Sequence, residues 1–180
     1  LKVSDPDIIS NQPVWKKHMK ELGELEPVAL KYKEYKKAKL DFLTQKARKI
    51  RDDAIEIIGH FGSGHIGGVM SVIDALTVIY YDKANIDPSN PKKQDRDRII
   101  MSKGHAGPAM YAVLADLGYY PKEWTKTLNK NGTNLPSHCD MNKIPGIDMT
   151  AGSLGQGISC AVGMAIGAKM DNNPATIYCF

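Results

Sequence analysis

Three histidines set beside small residues, and one glycine-rich turn, are where this chain could do chemistry. They are His65 in Ser63-Gly64-His65-Ile66-Gly67-Gly68, His105 in Ser102-Lys103-Gly104-His105-Ala106, and His138 in Leu135-Pro136-Ser137-His138-Cys139-Asp140. The turn is Gly152-Ser153-Leu154-Gly155-Gln156-Gly157. An imidazole can donate, accept and change charge near neutral pH. Glycine lets a backbone approach a ligand closely. Together the set reads as a site that holds a phosphorylated organic cofactor and moves protons beside it.

Each motif alone admits a plainer explanation. Gly62-Ser63-Gly64-His65-Ile66-Gly67 matches GxGxxG, but a dinucleotide fingerprint follows a strand, and here a helix-period segment precedes it. The segment is otherwise a glycine-rich turn between helices, from which His65 can face a ligand. His105 is a ligand-facing imidazole or a capping and packing residue. His138 sits in a Pro/Gly loop, as a site residue or a solvated surface histidine. Gly152 to Gly157 either lets backbone touch a flat ring or a diphosphate, or is only a tight connection into a helix. A three-histidine zinc site would need residues 40 and 33 positions apart to meet. No HxH or HExxH spacing supports it, so no metal ligand is assigned.

The elements that must position these residues follow from periodicity. Residues 1–13 read as an irregular arm with Pro6 and Pro13 as breakers. Residues 14–40 are rich in Lys and Glu and read as surface helix, broken near Pro27. Leu43, Ala47, Ile50, Ala54, Ile57 and Phe61 recur at spacings of three and four, which predicts an amphipathic helix through about Ile58. A second helix carries Val69, Val72, Ile73, Leu76, Ile79 and Tyr80. Asp87 to Arg98 is a polar loop. Arg98-Ile99-Ile100-Met101-Ser102 reads as a buried strand, with His105 just past its C-terminal end, where α/β sheets bind ligands. Ala109, Met110, Val113, Leu114 and Leu117 give a helix closed by Gly118. Residues 122–130 suggest a short helix, and 131–153 are loop-rich. A Gly/Ala-rich helix follows from about Gly155 to Met170. Ala175 to Phe180 reads as a second buried strand. Two strands separated by helices predict a parallel α/β sheet, and two are too few for an independent one. The expected division is an N-terminal extension over 1–40, helical or irregular, and a partial diphosphate-binding α/β domain over 41–180.

Composition narrows the class. Of 180 residues, 42% are hydrophobic and 24% charged, as in an ordinary globular domain. The net charge is +4, but residues 1–50 hold 12 Lys and Arg against 7 Asp and Glu, leaving the remainder near neutral. A basic excess confined to the extension gives nucleic-acid binding little support. No apolar run approaches the roughly 20 residues that span a bilayer, and no signal-peptide core follows Leu1. The three cysteines, Cys139, Cys160 and Cys179, fit neither a disulfide framework nor a CxxC site. A reducing cytoplasm is the expected compartment.

The run from about Ala47 to Phe180 resembles the N-terminal part of transketolases, a thiamine diphosphate-dependent family. Ser63-Gly64-His65-x-Gly67 is similar to the family's SGHPG motif. Asp95-Arg96-Asp97-Arg98 followed by Ser102-Lys103-Gly104-His105 is similar to its DRDRF…SxGH motif. Gly152 to Gly157 resembles its GxLGQG motif, and Ala161-Val162-Gly163-Met164-Ala165 matches beside it. Two positions depart from the pattern: Ile66 stands where the family has Pro, and Ser137 stands where it has Gly.

The resemblance implies an enzyme, a transferase that moves a two-carbon ketol unit from a ketose, usually phosphorylated, to an aldose. Thiamine diphosphate serves as the electron sink. By position, His105 resembles the histidine on the cofactor diphosphate. Gly152, Ser153 and Leu154 resemble the segment lying against the thiamine ring system. His65 and His138 resemble histidines that bind sugar hydroxyls and help transfer protons, so His65, His105 and His138 form the expected catalytic set. The short form resembles the N-terminal subunit of a split transketolase. It implies a second subunit carrying the pyrimidine-binding domain, in a homo- or hetero-oligomer built through the helix after Gly68 and the one after Gly157. Sugar phosphates, with pentose phosphates the family's usual ones, are the expected substrates; nucleic acid and membrane are not expected partners. Ligands for Mg²⁺ or Ca²⁺ are expected beyond residue 180, and the chain alone is expected to be inactive. The alternatives are another thiamine enzyme, such as a synthase joining pyruvate to a sugar phosphate, and a non-catalytic scaffold subunit. A fragment, a processed form or a split subunit would all start and stop as this chain does.

Overall fold

The computed structural model describes residues 2–180, with side chains from Val3 onward. They fall into two units, one ending at Thr44 and the other spanning Gln45–Phe180. The first unit opens with a 3-10 turn, Lys2–Ser4, and a short helix α1 (Pro6–Ser10). The Asp5 carboxylate accepts from the Asp7 N–H at 3.0 Å, and Pro6 takes the first helical position. Its missing N–H is not needed there. The long helix α2 (Gln12–Phe61) follows, with Pro13 in its first turn. Two expectations are corrected here. Residues 6–10 are helical, and α2 runs through Pro27 without a break. An interior proline loses one hydrogen bond, here to Gly23, and is about 3 kcal/mol less favourable than Ala. Both residues are exposed, so water can hydrate the freed carbonyl and the helix continues.

In the second unit α2 buries Ala47, Ile50, Ala54, Ile57 and Ile58 at helical spacing. After it come α3 (Ile66–Met70), α4 (Ile73–Val78) and a π turn, Ile79–Lys83. The strand β1 (Arg98–Ile100) leads through a 3-10 turn, Gly104–Ala106, into α5 (Gly107–Asp116). A 3-10 turn at Lys122–Thr127, the helix α6 (Gln156–Met170) and the strand β2 (Ile177–Cys179) complete the order. The strands pair in parallel, Arg98 opposite Ile177 and Ile100 opposite Cys179. Parallel neighbours need a crossover, and this one contains α5 and α6. The fold is therefore α/β, a small parallel sheet flanked by helices. The regular strands are shorter than the sequence predicts, although ladder bonds continue outside them. Arg98 N–H donates to Thr176 O at 2.9 Å, and Phe180 N–H to Ile100 O at 3.0 Å. Helix α5 is buried from Gly107 to Leu114, so it carries apolar or small groups on every side. Lys46 and Lys49 of α2 reach Asp116 at its far end, at 2.7 and 2.9 Å.

The start of β1 is fastened by Asp95-Arg96-Asp97-Arg98. The two Asp97 oxygens accept from the N–H groups of Thr176 and Asn85 at 2.7 and 2.8 Å, joining β1, the entry to β2 and the loop before it. Arg96, 7% exposed, forks onto Asp148, 9% exposed. The same carboxylate accepts from the Ile99 N–H at 2.8 Å. Burial works against the Arg96 charge, but the Asp148 hydrogen bonds and charge hold its guanidinium pKa above the usual value.

Removing one partner of a buried pair leaves the other charge uncompensated, which costs about 3–5 kcal/mol. Asp148→Ala is expected to destabilise the chain by that amount in urea unfolding. A change near zero would show that the fork contributes nothing to holding β1.

Candidate functional site

His105 lies at the hinge between β1 and α5, inside the 3-10 turn Gly104–Ala106. The chain before it is pinned. Gly104 is buried, and a Cβ there would stand 2.0 Å from Ala151 O, 2.8 Å from Ala151 C and 3.2 Å from Gly152 Cα. Only glycine permits this, so the turn at the strand end meets the 151–152 segment backbone to backbone. On the other side, a Cβ on Gly68 of α3 would stand 2.9 Å from His105 Nε2. The imidazole therefore has its place because Gly68 has no side chain.

His65 takes the N-cap position of α3, whose Val69 is buried in the core. Its ring centroid is 5.0 Å from that of His105, with the planes inclined at 54°. Ile66, at the motif position of the family's Pro, is the first residue of α3 and is 50% exposed. A first helical position needs no N–H and favours Pro, and Ile also fits there. His138 is exposed, but its neighbours are anchored. Tyr111 OH donates to Pro136 O at 2.8 Å, Asn129 Nδ2 donates to Ser137 Oγ at 2.5 Å, and Cys139 is buried beside Met110. His138 is close enough for its charge to act on His105.

Gly152, Ser153 and Leu154 are all exposed, Leu154 at 72%. Gly152 touches the His105 turn through Gly104; Ser153 O accepts the Gln156 N–H at 3.1 Å. Gly155 then turns the chain into α6 with φ +84°, the left-handed region that favours glycine. Gly157 lies against Ser102, where a Cβ would stand 2.6 Å from its Cα, and Ser102 Oγ accepts the Ile158 N–H at 3.1 Å. Thus α6 is docked on the end of β1. The structure brings His65, His105 and Gly152 into one neighbourhood, with His138 at its side; Ser153 and Leu154 follow Gly152 in the exposed turn.

The electrostatics favour a neutral His105. Its pKa is lowered from the ordinary histidine value, first by desolvation and then by the nearby charges of His65, Lys103 and His138. A neutral ring keeps one donor and one acceptor nitrogen. Lys103 is the residue whose part here sequence reasoning missed. Its Nζ donates to Ser71 Oγ at 2.8 Å, and its charge bears on His105. The signal was present as a cation two residues before the imidazole at a strand end. Among the described residues, no group of three or more His, Cys, Asp or Glu could hold a metal ion. A separate cleft of about 830 Å³ includes Lys92, Lys143 and Arg98, the last at the opposite end of β1 from His105, and none of the three histidines.

A parallel sheet with imidazoles and a glycine turn at its carboxyl edge defines a cofactor-binding domain of the α/β class. Residues 43–176 match the family model described as transketolase, thiamine diphosphate binding domain. The chain belongs to the transketolase family, over its thiamine diphosphate-binding domain. It is 54% identical over 136 residues to the 6-deoxy-6-sulfo-D-fructose transketolase subunit SqwG of Clostridium sp. (strain MSTE9), covering 76% of this chain and 50% of that protein. It is 40% identical over 132 residues to a subunit of the apulose-4-phosphate transketolase of Phocaeicola vulgatus, covering 73% and 47%. The chain spans about half the length of these curated relatives. Among solved structures, the Campylobacter jejuni transketolase matches with TM-score 0.71 and 30% identity, over 77% of this chain and 23% of that one. The Leishmania mexicana transketolase matches with TM-score 0.70 and 31% identity, over 76% and 22%. No helix of the described residues is long and apolar enough to cross a membrane.

The His105 surroundings have a direct readout. In an NMR titration His105 is expected to titrate below the ordinary histidine midpoint of about 6.5. His65→Asn is expected to move that midpoint upward without restoring it, because desolvation is the larger cause. A midpoint at or above the ordinary value would contradict the geometry.

Proposed function

We propose that this chain is the diphosphate-binding part of a transketolase-type transferase whose partner subunit supplies the pyrimidine-binding domain. The observation that carries the reading is the 5.0 Å pairing of His65 and His105 beside the Gly104–Gly152 contact. A backbone meeting without side chains, an exposed glycine turn and a neutral imidazole suit a diphosphate and a flat ring. His105 would donate a hydrogen bond to a diphosphate oxygen. Gly152, Ser153 and the exposed Leu154 would lie against the ring system. His65 and His138 would hold sugar hydroxyls and carry a proton to or from the reacting carbon. When bound, thiamine diphosphate supplies the nucleophilic carbon and the electron sink. A divalent cation, Mg²⁺ or Ca²⁺, would offset the diphosphate charge, held by ligands other than the His65, His105 and His138 set.

Relatives named as subunits support the two-chain reading. So do exposed apolar groups at four-residue steps along α6, namely Ile158, Val162, Ile166 and Met170, which water would not favour uncovered. The reaction would be transfer of a two-carbon ketol unit between sugars in the cytoplasm. The substrates named in the relatives carry a sulfo or a phosphate group. This favours an anionic sugar and extends the expected pentose phosphates to sulfonated ones. The chain alone would be inactive.

The test uses the complex with the partner subunit. His105→Ala removes a hydrogen bond to a charged group, worth about 1.5–3 kcal/mol. Thiamine diphosphate should therefore bind about 10- to 100-fold more weakly, while the two chains still assemble. Unchanged cofactor affinity would defeat the assignment and favour a scaffold role.

A further inference from the structure

We infer that residues 14–42 pair with the same segment of a second copy of this chain, as an antiparallel two-stranded coiled coil. This segment of α2 precedes the family match at residues 43–176, so the family's own surfaces do not account for it. Its seam alternates steps of four and three without interruption: Val14, His18, Glu21, Leu25, Val28, Tyr32, Tyr35, Lys39, Phe42. That repeat of 3.5 residues is the coiled-coil signature, distinct from the 3.6 period of a helix lying on a globular core. The central four positions are apolar or aromatic and exposed, Leu25 and Val28 at 64%, Tyr32 at 59% and Tyr35 at 58%. The seam runs about 43 Å along the axis. Interior Gly23 and Pro27 weaken the helix from within, and helices in water draw most of their stability from a packed face. A second seam of the same pattern meets that need.

Charge selects the occupant and its direction. Residues 21–26 carry Glu21, Glu24 and Glu26; residues 31–39 carry Lys31, Lys33, Lys36, Lys37 and Lys39 against Glu34. Two copies side by side in parallel register would set acid on acid and base on base. Antiparallel copies set each acidic block on the other's basic block. With Leu25 facing Tyr35 of the second copy, and Val28 facing its Tyr32, the polar seam residue Glu21 faces Lys39. A polar pair inside a seam specifies register and orientation. Lys36, flanking the seam, rides over the Tyr32 ring at 5.3 Å, and Lys39, a seam position itself, over the Tyr35 ring at 5.7 Å.

Sedimentation equilibrium of the full 180-residue chain reads the mass directly. The wild type is expected to associate, and Leu25→Asp with Val28→Asp to halve the mass of the assembly. Because that variant can also unwind the helix, charge variants with an intact seam carry the test further. Glu21→Lys with Glu24→Lys is expected to weaken association at low salt. Adding Lys36→Glu and Lys39→Glu to the same chain is expected to restore it. A wild type that is monomeric at every accessible concentration overturns the inference. So does a mass unmoved by the seam substitutions in a chain that stays helical. Association strengthened by the first charge pair overturns the antiparallel arrangement.

Discussion

The site depends on one place where two backbones touch. Gly104 ends the descent of β1, and the Ala151 carbonyl lies where any side chain at residue 104 would have to be. That meeting joins two stretches 47 residues apart in the sequence, one carrying His105 and the other opening the glycine turn. The neighbouring contacts depend on steric exclusion in the same way. Gly68 leaves room for the His105 ring, and α3 holds His65 5.0 Å from it. Gly157 lets α6 start on Ser102. Protein interiors transmit small displacements because they are packed without slack. A methyl group at Gly104 or Gly157 would therefore force backbone away from backbone.

A charged framework stands behind that contact and orients it. Asp97 accepts from both Asn85 and Thr176, and Asp148 gathers Arg96 and the Ile99 amide. These carboxylates accept backbone N–H groups as well as a guanidinium, so they set the angle at which β1 delivers His105. The framework and the site lie at opposite ends of a short strand. One end is fastened by buried charge and the other is left open, with neutral imidazole and exposed glycines. This division suits a domain whose ligand arrives from solvent or from a partner chain.

Much of this was legible in the sequence, for reasons that differ element by element. The α2 face from Ala47 to Ile58 announced itself by period and the two strands by apolar content; β1 buries Ile99 and Ile100, but β2, read from the sequence as buried, is only half-buried from Ile177 to Cys179. The parallel pairing followed from helices lying between strands. Asp95 to Arg98 was recognisable as a motif, but its work was not. Its partner Asp148 lies 52 residues after Arg96, and nothing local marks a carboxylate as buried. Pro27 reads as a breaker in any sequence; that it breaks nothing depends on solvent reaching the Gly23 carbonyl. Pro6 and Pro13 likewise sit in first turns, where proline is tolerated. Lys103 was visible only as a motif letter, since its effect on His105 arises from proximity in three dimensions.

The central claim is that the Gly104 contact holds the His105 turn against the 151–152 segment, backbone to backbone. Nuclear Overhauser contacts between the Gly104 and Gly152 α protons test it most directly, in the wild type and in Gly104→Ala. The account predicts a cross-peak in the folded wild type and its loss in a folded Gly104→Ala chain. A wild type without the cross-peak, or a variant that keeps it unchanged, would contradict the account.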